Sequence, residues 1–257
     1  MDWLFTLSGF FVGAIVGLTG VGGGSLMTPL LVLLFGIHPA TAVGTDLLYA
    51  AVTKASGTTV HARKGHVEWR IVGLLATGSM PATAITLYTL AHLPKQGPET
   101  IHLISVCLGI ALLLTACAII FRKKIQSYAL ANETSFIQRH QTPITVAVGA
   151  TLGVLVSISS VGAGALGVAV LFFLYPKLPT VRIVGSDVAH AVPLTLVAGT
   201  GHWLIGSVDW HLLGALLIGS IPGIWIGSHI SAKVPDRILR PILASMLVLV
   251  GAKLIAH

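Results

Sequence analysis

Charge is what this sequence has least of. Asp, Glu, Lys and Arg make up only 9% of its 257 residues, against roughly 25% in an ordinary soluble domain. So few charges cannot cover a water-facing surface, which excludes a soluble globular protein. Cysteine is scarce as well. Cys107 and Cys117 stand ten residues apart in one apolar segment, about 280° round a helix. Neither a disulfide nor a metal pair is indicated, and both read as small core hydrophobes. The eleven His are scattered, with no HxH or HxxxH spacing to hold a metal. The glycine run GVGGGS (20–25) has no P-loop lysine after it and no strand before it, which argues against a nucleotide loop. No Ser–His or Cys–His pairing suggests a nucleophile, so an enzyme is not expected. The start of the chain carries Asp2 and no basic residue before its first apolar stretch. It is therefore read as structure rather than as a cleaved signal.

What the chain does have is apolar length. Hydrophobic residues reach 54%, and several segments approach the ~20 residues needed to cross a bilayer. The formal charge of +7 is concentrated between those segments. Arg63, Lys64 and Arg70 share one loop; Arg122, Lys123, Lys124 and Arg139 another; Lys177 and Arg182 a third; Lys233, Arg237 and Arg240 a fourth. Cytoplasmic loops of membrane proteins collect Lys and Arg in this way. No basic stripe is interleaved with stacking aromatics, so no nucleic-acid partner is expected. The lipid bilayer is the partner that composition demands.

The sequence also repeats itself. The stretch 44–81 realigns with 185–222 at a constant shift of 141 residues, as from Gly44 to Gly185. Asp46/Asp187, His61/His202, Trp69/Trp210, Gly78/Gly219 and Pro81/Pro222 all match. Upstream, after a one-residue slip, FFVGAIVGLTGVGGGSL (10–26) matches ATLGVLVSISSVGAGAL (150–166). Equivalent loops differ in charge: 61–70 carries three basic residues and 202–211 none. This is the pattern of inverted-topology repeats. The fold predicted is all-α: one integral membrane domain over 1–257, with repeat 1 over 3–121, a cytoplasmic linker 122–142 and repeat 2 over 143–257. The C-terminus is predicted outside the cytoplasm. Segments 3–35 and 143–175 are each too long for one crossing and are broken at glycines. Each is expected to be a pair of helices, either a re-entrant hairpin or two close spans. Such backbone survives at membrane depth only where protein or a watery cavity satisfies it.

The breaks are therefore the expected site. The first offers Gly20, Gly22, Gly23, Gly24 and Ser25; the second offers Ser160, Gly162 and Gly164. Close helix packing through small residues is the plain account of these glycines. The functional account is that a half-helix begins after each break, with free N–H groups and a positive dipole end suited to a small anion. The next segment of each half is polar on one face, through Thr45, Asp46 and Lys54 in the first and Ser186, Asp187 and His190 in the second. Asp46, Asp187 and His190 are candidates for proton coupling or gating; an acid in a first helical turn also serves as a cap. Lys54 either attracts anions or snorkels to the interface. Both pairs of readings stand open on sequence.

With GLTGVGGGSLMTPLL, AVGTDLLYAAVTK, KGHVEW and GSDVAHAVPLTLVAGTGHWLIGSVDW placed, the chain resembles the TauE/SafE sulfite exporter family over nearly its whole length. The resemblance implies a multi-pass permease of the inner (plasma) membrane that moves small sulfur-containing anions, such as sulfite or organosulfonates, out of the cytoplasm. It implies no cofactor and leaves a homo-oligomer open. This chain departs from even duplication where Gly23, Ser25 and Lys54 become Ala163, Ala165 and Thr195. Other readings of the residues are an uncoupled anion channel and a cation transporter using the aspartate pair.

Overall fold

The computed structural model describes residues 2–19, 24–93, 97–131, 140–230 and 236–256, and every regular element among them is a helix. The first half gives α1 (Asp2–Thr19), α2 (Gly24–Phe35), α3 (Pro39–Arg63), α4 (Trp69–His92) and α5 (Pro98–Ala131). The second gives α6 (Gln141–Ser159), α7 (Ala165–Leu174), α8 (Thr180–Leu204), α9 (Trp210–Ile230) and α10 (Asp236–Ala256). Among the described residues, five stretches are long and apolar enough to cross a membrane: Trp69–His92, Pro98–Arg122, Gln141–Ser159, Thr180–Leu204 and Trp210–Gly227. α3 matches α8 in length, but Thr45, Asp46, Thr53, Lys54, Ser56, Thr58 and Thr59 make it more polar. The protein is a polytopic helical membrane protein.

The halves are interlocked by exchange. α1 packs on α9 and its repeat equivalent α6 packs on α4, while α3 packs on α8 and α5 on α10. Bilayer lipid is as apolar as leucine, so helices in a membrane associate through close packing rather than expulsion of water. Glycine supplies that closeness. A Cβ at Gly9 or Gly13 would strike the backbone of Leu216 or Ser220, and one at Gly219, Gly223 or Gly227 would strike the backbone of α1. The copy is faithful: a Cβ at Gly78 would meet the Val146 carbonyl, and Gly149 and Gly153 press on Leu75 and Ser79. In both pairs the contacts advance together along the two chains, so these helices run parallel. α3 and α8 do the opposite. Gly44 abuts Ser207, Leu48 abuts Gly199, and Gly185 abuts His66, so equivalent helices of the two halves lie antiparallel.

That crossing also joins the loops. Glu68, before α4, pairs with Arg182 on α8 at 2.6 Å, so the basic loop 61–70 and the basic start of α8 share one end of the bundle. At the other end, the 205–209 turn meets the start of α3. α5 runs on through the first ten residues of the predicted linker as far as Ala131. Arg122 there sits 4.7 Å from the ring centroid of Phe172, and Tyr128 stacks on Phe173. Of the cysteines expected in the core, Cys107 is half-buried and Cys117 is exposed on the outer face of α5. The repeat-related Trp69 and Trp210 are exposed, at helix starts where interfacial tryptophans belong.

Candidate functional site

The second glycine break is fully described, and its backbone shows why glycine stands there. α6 ends at Ser160, which takes a left-handed φ of 58° while its N–H donates to the Val156 carbonyl at 2.8 Å. Gly162 and Gly164 have φ of 129° and 134°, conformations that strain any residue with a Cβ. α7 then starts, with Gly167 N–H donating to Gly162 and Val168 N–H to Gly164. Ten residues give it a length of only about 15 Å, half a bilayer core. Gln141 donates to the Leu174 carbonyl at 2.7 Å, and Thr145 shares a 2.8 Å bond with the Tyr175 hydroxyl. The start of α6 and the end of α7 therefore meet, so the two helices fold back on each other across the break, as both expected arrangements require. In the first half, Gly20, Gly22 and Gly23 lie outside the described residues; Gly24 and Ser25 open α2.

A charged row runs beside the break. Asp46 and Lys54 on α3 and Asp187 on α8 are all buried, with both aspartates at 0% exposure. Thr28 Oγ1 on α2 donates to Asp46 Oδ2 at 2.5 Å. Lys54 Nζ donates to the Ala163 carbonyl inside the break at 2.9 Å, so this buried lysine points inward rather than to the interface. Ser160 lies beside Asp46, the Gly164 amide beside Asp187, and Lys54 within electrostatic reach of both carboxylates. The break thus passes along a row of two acids and one base. The aspartates stand on opposite sides of the α3–α8 crossing, not at one point. Asp46 Oδ1, both oxygens of Asp187 and Ser160 Oγ have no hydrogen-bond partner among the described residues.

One turn beyond each aspartate sits a second buried polar group. His190 Nε2 shares a 2.9 Å bond with Ser79 Oγ on α4. Its repeat equivalent is Tyr49, whose hydroxyl faces Ser220 on α9. Sequence reasoning missed Thr28, Ser79 and Ser220 as parts of the site. The serines were findable, because GSMP and GSIP (78–81 and 219–222) align in the repeat; Thr28 has no polar equivalent.

Two predicted site residues bond to backbone of the other half. Thr45 Oγ1 accepts from the Asp209 N–H at 3.1 Å, and Ser186 Oγ accepts from the Glu68 N–H at 2.8 Å while donating to the Arg182 carbonyl at 2.7 Å. These repeat-related hydroxyls each tie down the entry to the other half's fourth helix. His202 likewise bonds the Ser157 carbonyl at 2.8 Å.

Comparison with known proteins agrees with this architecture. The family model described as "Sulfite exporter TauE/SafE" matches residues 5–254. The chain belongs to the TauE/SafE family. Among curated relatives of this TauE/SafE chain, "Probable membrane transporter protein YjnA" of Bacillus subtilis (strain 168) is 39% identical, over 97% of this chain and 98% of its own. "Probable membrane transporter protein YdhB" of the same organism is 27% identical over 96% and 99%. "Probable membrane transporter protein YfcA" of Escherichia coli (strain K12) is 23% identical over 96% and 88%. No solved structure matches the chain. Membership makes this TauE/SafE protein a membrane transporter.

Proposed function

We propose that this chain exports small sulfur-containing anions, of the sulfite or organosulfonate class, across the plasma membrane by alternating access. The observation that carries the reading is Lys54. A buried ammonium bonded to a carbonyl within a broken helix is a cation held beside backbone that can accept an anion. Ser160 Oγ and the amides of the Gly162–Gly164 stretch supply neutral donors along the same row. The family description supports the sulfur class. The antiparallel α3–α8 crossing supports halves inserted in opposite senses, with the basic loops at the cytoplasmic end and the C-terminus outside. The glycine-lined α1–α9 and α4–α6 contacts are surfaces on which one half can rock against the other.

One observation favours a second reading. Two buried carboxylates face one ammonium, a balance that suits a cation carrier. Thermal-shift titration of purified protein against sulfite, sulfate, thiosulfate, methanesulfonate and Na⁺ separates the two, because a ligand that binds only the native state raises Tm. Stabilisation by a sulfur anion supports the proposal. Stabilisation by Na⁺ alone sinks it.

A further inference from the structure

The N-terminus of α7, where the sequence predicted a substrate anion, already faces an anion of the protein's own. Gly167 lies in the first turn of α7, and a Cβ added there would collide with Asp187 Oδ1. The Gly164 amide is within reach of the same carboxylate. Asp187 is fully buried, and neither of its oxygens has a hydrogen-bond partner among the described residues. A carboxylate beside a half-helix N-terminus, with glycine making room for it, occupies the position an anionic guest would need.

The first half is built differently. Met27 stands where the second half has Gly167, and Thr28 where it has Val168. Asp46 consequently accepts the Thr28 hydroxyl bond, an interaction that favours the ionised carboxylate. One turn along, His190 with an unpartnered Nδ1 replaces Tyr49. The groups able to titrate or bear charge around Asp187 are few. α3 brings Lys54 and Asp46 and, near its end, His61; α8 itself has Arg182, paired with Glu68, and His190. α6 and α7 have no ionisable side chain, and α4 contributes Ser79.

We propose that Asp187 holds the α7 N-terminus as a tethered stand-in for the transported anion, and that a proton taken up by Asp187 gives this position over to the anion. One proton then accompanies each anion, and it is carried on Asp187 rather than on Asp46. The charge balance follows. An anion added beside Lys54 and two ionised carboxylates meets a net negative row, whereas protonated Asp187 leaves Lys54 and Asp46 balanced. This inference rests on the proposed anion reading of the same site.

The test is sulfite affinity of detergent-solubilised full-length protein measured across pH, for wild type, Asp187→Asn, Asp46→Asn and Gly167→Ala. Protonation of sulfite itself is common to all four and cancels in the comparison. Where Asp187 titrates, wild-type affinity falls about tenfold per pH unit more steeply than that of Asp187→Asn, as uptake of one proton requires. Asp46→Asn keeps the wild-type slope whatever its affinity. Gly167→Ala, which pushes the carboxylate off α7, flattens the slope and keeps the inference testable if Asp187→Asn does not fold. Equal slopes in wild type and in whichever of Asp187→Asn and Gly167→Ala folds overturn the inference and leave the anion site standing. Absence of sulfite binding by wild type at every pH overturns the sulfite reading and this inference with it.

Discussion

Lys54 Nζ lies 2.9 Å from the Ala163 carbonyl oxygen, tying the middle of a first-half helix to the broken backbone of the second half. No equivalent bond is available in reverse, because Thr195 occupies the position related to Lys54 and its hydroxyl bonds back to Ala191 on its own helix. The pseudo-symmetric scaffold therefore holds one asymmetric charge, and function is expected to depend on it.

Lys54→Met removes the one buried lysine or arginine among the described residues and leaves Asp46 and Asp187 without a counter-charge. Breaking a buried ionic group of this kind costs several kcal/mol. Sulfite binding is expected to weaken at least about tenfold, or about 1.4 kcal/mol, with the Tm in the absence of ligand also lower. Titration of the purified variant checks it; wild-type affinity would remove Lys54 from the site.

Glycines of the repeat-related helices α4 and α9 should divide sharply. Gly73 and Gly214 have nothing within 4 Å of a built Cβ, so alanine there should stabilise by about 0.5–1 kcal/mol through helix propensity and reduced chain entropy. Gly78→Ala drives a methyl into the Val146 carbonyl and should destabilise by about 1–3 kcal/mol. Thermal unfolding in detergent of Gly73→Ala, Gly214→Ala and Gly78→Ala reads the sign of each.

Thr45→Val and Ser186→Ala each remove the acceptor for one loop N–H. Each is expected to cost about 1 kcal/mol of stability while leaving sulfite affinity within twofold. A Tm drop without an affinity change supports the scaffold role; loss of binding with an unaltered Tm returns these hydroxyls to the substrate site.

Insertion of the halves in opposite senses has a direct readout. Lys64 and Ile205 are repeat equivalents in the turns after α3 and α8. With Cys107 and Cys117 replaced by alanine, Lys64→Cys should react with a membrane-impermeant thiol reagent only in inside-out vesicles, and Ile205→Cys only in right-side-out cells. Labelling of both from the same face would end the inverted-repeat reading.

Much of this was legible in the sequence because the bilayer imposes simple rules. Apolar length set the number and kind of elements. The matched Asp, His, Trp and Pro revealed the duplication, and SVGAGA marked the break at Ser160–Gly164 because the φ taken at Gly162 and Gly164 strains any residue with a Cβ. Asp46, Asp187 and His190 were marked as candidates for an interior role, since charge is costly against lipid, while Lys54 stayed open between the interior and the interface. Partners were not legible. Thr45 and Asp46 are adjacent in the chain, yet one accepts a backbone N–H near Asp209 and the other the hydroxyl of Thr28.

By itself the sequence determined the solvent, the duplication and the positions of the helix break, because hydropathy and glycine's freedom are local properties of the chain. Only the tertiary structure decided that α1 pairs with α9 and α4 with α6, that Lys54 turns inward to Ala163, and that Asp187 fills the notch above Gly167. Those outcomes depend on how two distant helices cross. That geometry is fixed by close packing between residues from twenty to more than two hundred positions apart, and no short-range pattern encodes it.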